Sequence, residues 1–362
     1  PLYGELVIYF FKTINSMSAS GLIKAFEHWQ STGKPMVLAT VYDTQGSTYT
    51  KAGHRILIAS NLDYQGLVSG GCLEGDLAER ASEVIIANEP TAITYDMRDD
   101  ADDLWGLGVG CNGLIRVFLQ PLIAEEGYEP FSKIVKRLGT PGSVVVATII
   151  ISKPGAPPVG TTLVWDGSEV ESESLEGLVP GCQSAHTAGR AVLSTEESGM
   201  TVLYAPLQPI RRILVLGAGL DALPVVNMAA ELGWRVTIAD HRPAYLEKGV
   251  FESAERTELI NPEHMSRDLD PGSYDAVVVM SHHLLTDQIY LGQLAETNVE
   301  YVGVLGPAAR KNRLLDSLGS ASGSLSDRLK GPVGIDIGAN DPESIALSLL
   351  AEIHATLSGK LV

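Results

Sequence analysis

The 362-residue sequence contains little cysteine, and the few cysteines are not arranged in pairs. They are Cys72, Cys111 and Cys182, so there is no CxxC pair to build a zinc knuckle or ribbon. A chain of this length with three cysteines also does not fit the disulfide frameworks of small secreted domains. The cysteine content therefore predicts a protein of a reducing, cytoplasmic compartment.

Basic residues are scarce as well. The sequence has 26 Lys and Arg against 44 Asp and Glu, which gives a formal net charge of −18. Such a surface repels nucleic-acid phosphates and anionic lipid headgroups, so we expect neither a nucleic-acid partner nor binding to a membrane surface. An anionic cofactor would have to be held by local backbone N–H groups and helix ends.

The sequence lacks a hydrophobic run that could cross a bilayer. The apolar run Leu6–Phe11 is far shorter than the ~20 residues of a transmembrane helix. No basic segment precedes it and no clear cleavage site follows it, so we expect no signal peptide and no membrane insertion. Residues 1–16 are treated as an irregular N-terminal extension.

The composition is that of a globular protein, with 45% hydrophobic and 19% charged residues, and the chain is too long for one ordinary core. Two domains are predicted, residues 17–207 and 208–362. The first has a mixed α/β pattern of short strands and glycine turns. In the second, strands and helices alternate regularly, which predicts a Rossmann-like, doubly wound parallel sheet.

Four strands of the second domain are predicted from runs of β-branched and apolar residues. They are Arg212–Leu216, Trp234–Ala239, Tyr274–Met280 and Tyr301–Val304. A final helix is expected to begin after Asp341, because Asp341 is a suitable N-cap and Pro342 suits the first helical position.

A GxGxxA turn at residues 217–222 follows the first of these strands and precedes a helical pattern. In this context the first glycine permits a tight turn, and the second lets a pyrophosphate approach the backbone. An acid at the end of the next strand could bind ribose hydroxyls, and an Arg two residues later could bind a phosphate. NAD, NADP, another nucleotide and no ligand all remain open. The predicted binding residues are Gly217, Gly219, Asp221, Asp240 and Arg242.

Two further glycine turns, both in the first domain, each carry a cysteine. Residues 69–76 (SGGCLEGD) place a thiol at the start of a predicted helix, where N–H groups favour anions. Residues 110–113 (GCNG) form a tight turn that a flat ligand could approach. Two such thiols suit a soft metal or a sulfur-bearing cofactor, although a small buried cysteine is the alternative for each. The candidate cofactor-binding residues are Gly70, Gly71, Cys72, Glu74, Gly110, Cys111, Asn112 and Gly113, with Cys72 and Cys111 as candidate metal ligands. Cys182, in a less patterned loop, is expected to be structural.

Two histidines, His282 and His283, follow the strand Tyr274–Met280. Open α/β sheets bind ligands at the carboxyl ends of their strands. His282 is therefore a candidate general acid or base, and Asp287 is the candidate acid that orients it. A surface or structural histidine is the alternative.

Together these segments resemble the XdhC/CoxI family, the xanthine dehydrogenase accessory factors of molybdenum-cofactor maturation. The resemblance extends from Met36 to Thr356. A lone GxGxxA would be weak evidence, whereas an ordered set of motifs in both domains is specific. These motifs are residues 68–75, 108–113, 217–222, 239–242, 281–282, 301–306 and 332–338.

The resemblance implies a carrier of the molybdenum cofactor (molybdopterin). Such a protein protects the cofactor, supports its sulfuration by a cysteine desulfurase, and passes it to a xanthine dehydrogenase-type molybdenum hydroxylase. Cys72 and Cys111 would then be molybdenum ligands. Members are often labelled xanthine dehydrogenase, but this chain lacks iron–sulfur cysteine spacing and is too short for the large cofactor-bearing subunit.

Two positions depart from the family pattern. Thr50 stands where an Arg is usual, and Gln120 where a Glu is common, so each change removes a charge near the expected cofactor site. Two other interpretations remain open. One is an NAD(P)-dependent oxidoreductase with His282 as its acid or base, and the other is a scaffold that joins desulfurase and hydroxylase without holding cofactor. A homodimer is also expected.

Overall fold

The structure is a computed structural model that describes residues 18–71, 73–98, 113–139, 142–168, 170, 172–196, 199–319 and 322–360. The chain divides into two compact units between Pro209 and Ile210. The first unit contains two antiparallel sheets and the second a parallel sheet. The mixed α/β fold class predicted from the sequence is confirmed.

The first sheet of the first unit has five strands, and the glycine turn of residues 69–71 lies between its third strand and the helix that follows. Its strands lie in the order β3-β2-β1-β5-β4, and all neighbouring pairs are antiparallel. Their bounds are β1 Met36–Gly46, β2 Arg55–Ala59, β3 Tyr64–Gln65, β4 Thr91–Asp96 and β5 Gly113–Leu122. Gly46 at the end of β1 pairs with Gly113 at the start of β5.

Three helices accompany this sheet: α1 Ala19–Gln30, α2 Glu74–Ala87 and α3 Phe131–Leu138. Helix α1 begins after Ser18, whose side chain accepts a hydrogen bond from the N–H of Gly21 at 3.3 Å. Helix α2 has an apolar face that packs on the sheet and joins its core. This packing fixes the position of the α2 N-terminus, where Glu74 lies.

The second sheet of the first unit has the order β7-β6-β9-β8. Its strands are β6 Val144–Ile151, β7 Thr162–Trp165, β8 Val192–Thr195 and β9 Thr201–Leu207, and its helices are α4 Glu173–Glu176 and α5 Val179–Ala188. Cys182 was expected in a loop, but it lies within α5 and is fully buried against this sheet. Burial raises the pKa of its thiol to about 12, which fits a structural cysteine.

The second unit has a six-stranded parallel sheet in the order β12-β11-β10-β13-β14-β15. The bounds are β10 Arg212–Leu216, β11 Arg235–Asp240, β12 Arg256–Leu259, β13 Ala276–Val279, β14 Tyr301–Val304 and β15 Leu329–Lys330. This is the strand order of a dinucleotide-binding Rossmann fold. The four strands predicted from the sequence are present as β10, β11, β13 and β14. The edge strands β12 and β15 were not predicted, because they are short and β12 is largely polar.

Helices cover both faces of this sheet. They are α6 Ala222–Glu231, α7 Pro243–Gly249, α8 Met265–Leu269, α9 Leu284–Leu294, α10 Ala308–Leu318, α11 Ser322–Leu325 and α12 Pro342–Leu357. Asp341 caps α12 in a capping box with Ser344, as the sequence predicted. Within the described residues, none of the helices combines the length and apolarity that crossing a membrane requires.

Helix α5 offers a test of packing in the first unit. A Cβ at Gly181 would overlap the buried ring of Tyr204 on β9. Alanine is normally better than glycine in a helix, but overpacking a core costs about 1–3 kcal/mol. We expect Gly181→Ala to lower the free energy of unfolding by about 1–2 kcal/mol in urea titrations.

The matched control is Gly75→Ala in α2, because among the described residues no side chain and no backbone atom outside the helix lies within 4 Å of the added Cβ. This variant should be neutral or more stable by up to ~1 kcal/mol. Equal stability gains in both variants would contradict the described contact between α5 and β9.

Candidate functional site

The glycine turn before Cys72 donates several hydrogen bonds to one buried carboxylate, that of Glu74. Its Oε1 accepts hydrogen bonds from the N–H groups of Val68 and Ser69, at 2.7 and 2.9 Å. Its Oε2 accepts from the Ser69 hydroxyl at 2.7 Å and from the Gly71 N–H at 2.9 Å. An ionised carboxylate has about four acceptor positions, so all of them are used inside the turn.

The Glu74 side chain is buried and charged. Burial alone would raise its pKa, but the hydrogen bonds from Ser69 and Val68 outweigh burial and hold the pKa below the ordinary glutamate value. Gly70 and Gly71 have φ values of 81° and 118°, and both are exposed. The turn therefore presents bare glycine backbone to solvent, while three of its N–H groups point inward.

The loop formed by residues 47–50, between β1 and β2, contacts the chain beside both cysteine motifs. The Thr50 hydroxyl donates to the Val68 carbonyl oxygen at 2.8 Å, which ties the loop to the turn before Cys72. A Cβ on Gly113, two residues after Cys111, would come within 2.5 Å of the Ser47 carbonyl oxygen. Val68 and Gly113, one residue of each motif, therefore adjoin the same loop. Thr50, a departure from the family pattern, is a buried part of this connection.

Tyr49, on the same loop, is a candidate binding residue that no sequence pattern indicated. Its side chain is 62% exposed, and its ring lies 3.5 Å from a Cβ built on Gly70. An exposed ring beside a bare glycine turn offers a surface on which a planar ligand can stack. Only the tertiary contact between the loop and the turn reveals this position.

The other family departure, Gln120, lies on β5 and donates its Nε2–H to the Gly160 carbonyl oxygen at 2.8 Å. Four predicted site residues, Cys72, Gly110, Cys111 and Asn112, lie outside the described residues. Their proposed roles, including metal ligation, remain predictions. Among the residues that the structure does describe, no three His, Cys, Asp or Glu side chains are grouped to hold a metal ion.

The glycine turn of the second unit packs directly over the end of β13. Gly217 has a φ of 129°, and a Cβ there would overlap the backbone carbonyl of Met280. Only glycine fits this position, as the GxGxxA pattern predicted. The turn continues to Ala218, whose N–H donates to Asp240 Oδ2 at 2.7 Å.

Both carboxylate oxygens of Asp240, at the end of β11, accept hydrogen bonds from other groups of the protein. Its Oδ1 accepts from the backbone N–H and the Nε–H of Arg242, both at 2.9 Å, and its Oδ2 accepts from Arg242 Nη2 at 2.8 Å. Arg242 Nη2 also donates to the Ser281 carbonyl oxygen at 3.2 Å, and the guanidinium lies 3.6 Å above the Tyr245 ring. Burial opposes ionisation of Asp240, but hydrogen bonds from Arg242 and Ala218 keep its pKa below the ordinary value.

His282 pairs with Asp221, whereas the sequence suggested Asp287 as its partner. His282 Nε2 lies 2.8 Å from Asp221 Oδ2, and this hydrogen bond raises the pKa of the half-exposed histidine. Asp287 accepts instead from the Ser281 hydroxyl at 2.5 Å and from Arg310 Nη2 at 2.6 Å. Asp287 belongs to the first turn of α9, and its buried carboxylate binds Arg310 on α10 instead of His282.

Ser281 and Arg310 were also missed as members of this network. Arg310 follows a glycine–proline turn, Gly306–Pro307, at the end of β14. That turn could have been recognised in the sequence, because it follows a third parallel strand whose carboxyl end lies at the same edge of the sheet as those of β11 and β13. The pairing of Arg310 with an acid on a different helix had no counterpart in the local sequence.

Comparisons with known proteins agree on the kind of protein that this chain resembles. The family model for the XdhC Rossmann domain matches residues 213–353, and the model for the XdhC and CoxI family matches residues 29–96. A relative from Bacillus subtilis, named as a probable xanthine dehydrogenase subunit, is 33% identical over 320 residues. The match covers 88% of this chain and 92% of the relative.

A second relative is the molybdenum cofactor insertion chaperone PaoD of Escherichia coli. It is 24% identical over 323 residues, which cover 89% of this chain and 83% of the relative. A solved structure from Bacillus halodurans, described as a xanthine dehydrogenase, has a TM-score of 0.73 and 29% identity. The match covers 94% of this chain and 96% of that one, so the fold extends through both units.

The Glu74 network predicts a stability loss that depends on pH. Glu74→Gln replaces an acceptor oxygen with an NH2 group that faces N–H donors, so we expect the free energy of unfolding to fall by about 1–3 kcal/mol at pH 7. The folded pKa of Glu74 is below the unfolded value. Its contribution is therefore complete above pH ~4.3 and is lost as the pH falls through the folded pKa.

Urea titrations from pH 7 to pH 3 measure this difference, and amide hydrogen exchange at Val68, Ser69 and Gly71 localises it. Glu79→Gln on the exposed side of α2 is the control and should match the wild type. Unchanged amide protection in Glu74→Gln would contradict the role assigned to this carboxylate.

Proposed function

The chain belongs to the XdhC and CoxI family, and from this premise we propose that it binds molybdenum cofactor and inserts it into a xanthine dehydrogenase-type hydroxylase. The names of two relatives support this proposal, since one is a molybdenum cofactor insertion chaperone and the other a probable xanthine dehydrogenase subunit. The chain is thus proposed to be an accessory carrier rather than the hydroxylase.

The observation that carries the proposal is the shared contact of residues 47–50 with the flanks of both cysteine motifs. Thr50 bonds to Val68 on one side, and Gly113 packs against Ser47 on the other. The fold therefore supports a single cargo site to which Cys72 and Cys111 each contribute a thiol. Thiolates are soft ligands that suit such a metal centre.

The described residues around this loop suit a planar, sulfur-bearing cargo. Gly70 and Gly71 present backbone without side chains, and Tyr49 offers an exposed ring. The Glu74 charge would repel an anionic cofactor if it faced outward, but it is buried and accepts hydrogen bonds from four donors of the turn. Lys51, exposed and near the Thr48 hydroxyl, adds a positive charge to the rim.

The finer parts of the proposal concern handling of the cargo. We propose that the bound cofactor is protected, is sulfurated with a cysteine desulfurase as partner, and is then delivered to the hydroxylase. We further propose that the protein acts as a homodimer in the cytoplasm. The low cysteine content and the acidic composition support a reducing compartment without nucleic-acid partners.

Cofactor content tests the carrier function and the cysteine roles together. The chain is co-expressed with an active cofactor pathway, and molybdenum and pterin are measured per protein chain. We expect near-stoichiometric cofactor in the wild type and its loss in Cys72→Ala and in Cys111→Ala, because each change removes a thiolate ligand.

Cys182→Ala is the matched control, since that thiol is buried in the core of the second sheet. It should retain the cofactor as the wild type does. A wild type without cofactor would refute the carrier proposal, whereas full retention in both test variants would refute only the ligand assignment.

Tyr49 provides a separate test of the cargo site. Stacking of a heterocycle on an aromatic side chain contributes about 1–3 kcal/mol, so Tyr49→Ala should weaken cofactor binding by roughly tenfold. Tyr49→Phe keeps the ring and should bind as the wild type does. Dissociation of the pterin during dialysis, followed by its fluorescence after oxidation, measures the difference.

The control is Tyr64→Ala on β3, another partly exposed tyrosine of the same sheet. It should leave cofactor release unchanged. Equal release from Tyr49→Ala and the wild type would show that the ring does not contact the cargo, and the cysteine assignment would be unaffected.

A further inference from the structure

We propose that the second unit holds its own dinucleotide site closed with two ion pairs, Asp240–Arg242 and Asp221–His282, and so excludes NAD. This inference concerns the Rossmann unit alone. It does not rest on the cofactor carriage proposed for the first unit, because none of its residues belongs to the cysteine motifs.

The first ion pair occupies the ribose end of the site. In dinucleotide-binding Rossmann domains, the acid at the end of the second strand accepts hydrogen bonds from ribose hydroxyls. Asp240 holds that position, but its carboxylate already accepts four hydrogen bonds, three from Arg242 and one from Ala218. No acceptor position is left for a ribose, and the Arg242 guanidinium lies against the carboxylate where the hydroxyls would bind.

The second ion pair occupies the pyrophosphate end. The second glycine of the motif is bare so that a pyrophosphate can approach its backbone. Here the Asp221 carboxylate folds back over Gly219, so closely that a Cβ on Gly219 would overlap Asp221 Oδ1. His282 holds the carboxylate there through Nε2 at 2.8 Å. A carboxylate of the chain thus covers the bare backbone of Gly219 that a pyrophosphate would have to approach.

Both ion pairs are attached to one segment at the end of β13. The Ser281 carbonyl oxygen accepts from Arg242, and the next residue, His282, binds Asp221. The Ser281 side chain is fixed in turn by the buried Asp287, which is paired with Arg310. The ion pair at the ribose end and the ion pair at the pyrophosphate end are therefore parts of one connected network, rather than two independent surface contacts.

Titration of the whole chain with NAD+ by isothermal calorimetry tests the proposal. We expect no saturable binding by the wild type below about 1 mM. The double variant Asp221→Ala/Arg242→Met removes both blocking groups, and Met keeps the aliphatic stem above Tyr245. It should bind NAD+ at least roughly tenfold more tightly than the wild type.

The matched control is Arg256→Met, which breaks an exposed ion pair with Glu258 on the edge strand of the same sheet. It should bind no more NAD+ than the wild type. Saturable NAD+ binding by the wild type, or no gain in a folded double variant, would overturn the proposal.

The double variant leaves Asp240 buried with fewer donors, so its folding is checked first by thermal denaturation. If the double variant does not fold, the single variant Asp221→Ala is titrated with inorganic pyrophosphate, and its affinity tests the proposal. Because the side chain of its partner His282 is 54% exposed, removal of Asp221 leaves no buried charge unpaired. Pyrophosphate should then bind roughly tenfold more tightly than to the wild type, and an unchanged affinity would overturn the proposal.

Discussion

In each unit, one buried carboxylate accepts hydrogen bonds from a glycine turn of the chain, and both candidate sites depend on this interaction. Glu74 accepts four hydrogen bonds from the turn before Cys72, and Asp240 accepts four from the Rossmann turn and Arg242. A buried charge is tolerated only when it is fully hydrogen-bonded, so neither carboxylate can be shared with a ligand at no cost.

The same interaction leads to different surfaces in the two units. In the first, three N–H groups of the turn face inward, so what remains outside is glycine backbone and the Tyr49 ring. That surface suits a neutral ring and a soft metal better than a phosphate. In the second, side chains of the protein cover both the carboxylate and the bare glycine. A hydrogen-bonded carboxylate thus accompanies an exposed glycine turn in the first unit and a covered one in the second.

The sequence was sufficient for the alternating strands and helices of the second unit, the turn at Gly217 and the N-cap at Asp341, because each depends on residues close together in the chain. It was insufficient for the partners of the polar side chains. Spacing suggested that Asp287 would orient His282, but the helix turns Asp287 toward Arg310, 23 positions further on. Tyr49 had no signal at all. Which donors point at which acceptor is decided by how loops from distant segments pack, and no local pattern records that.

The Rossmann turn shows why a glycine signature alone does not establish a nucleotide site. Gly217 is required because its Cα passes over the Met280 carbonyl, whether or not a ligand is bound. The small residue Ala222 is likewise buried at the start of α6, where it packs in the core. The motif can therefore be retained for packing while its binding positions are taken by Arg242 and Asp221. The features that decide the function are then the partners of Asp240 and the exposure of Gly219, which only the folded structure reveals.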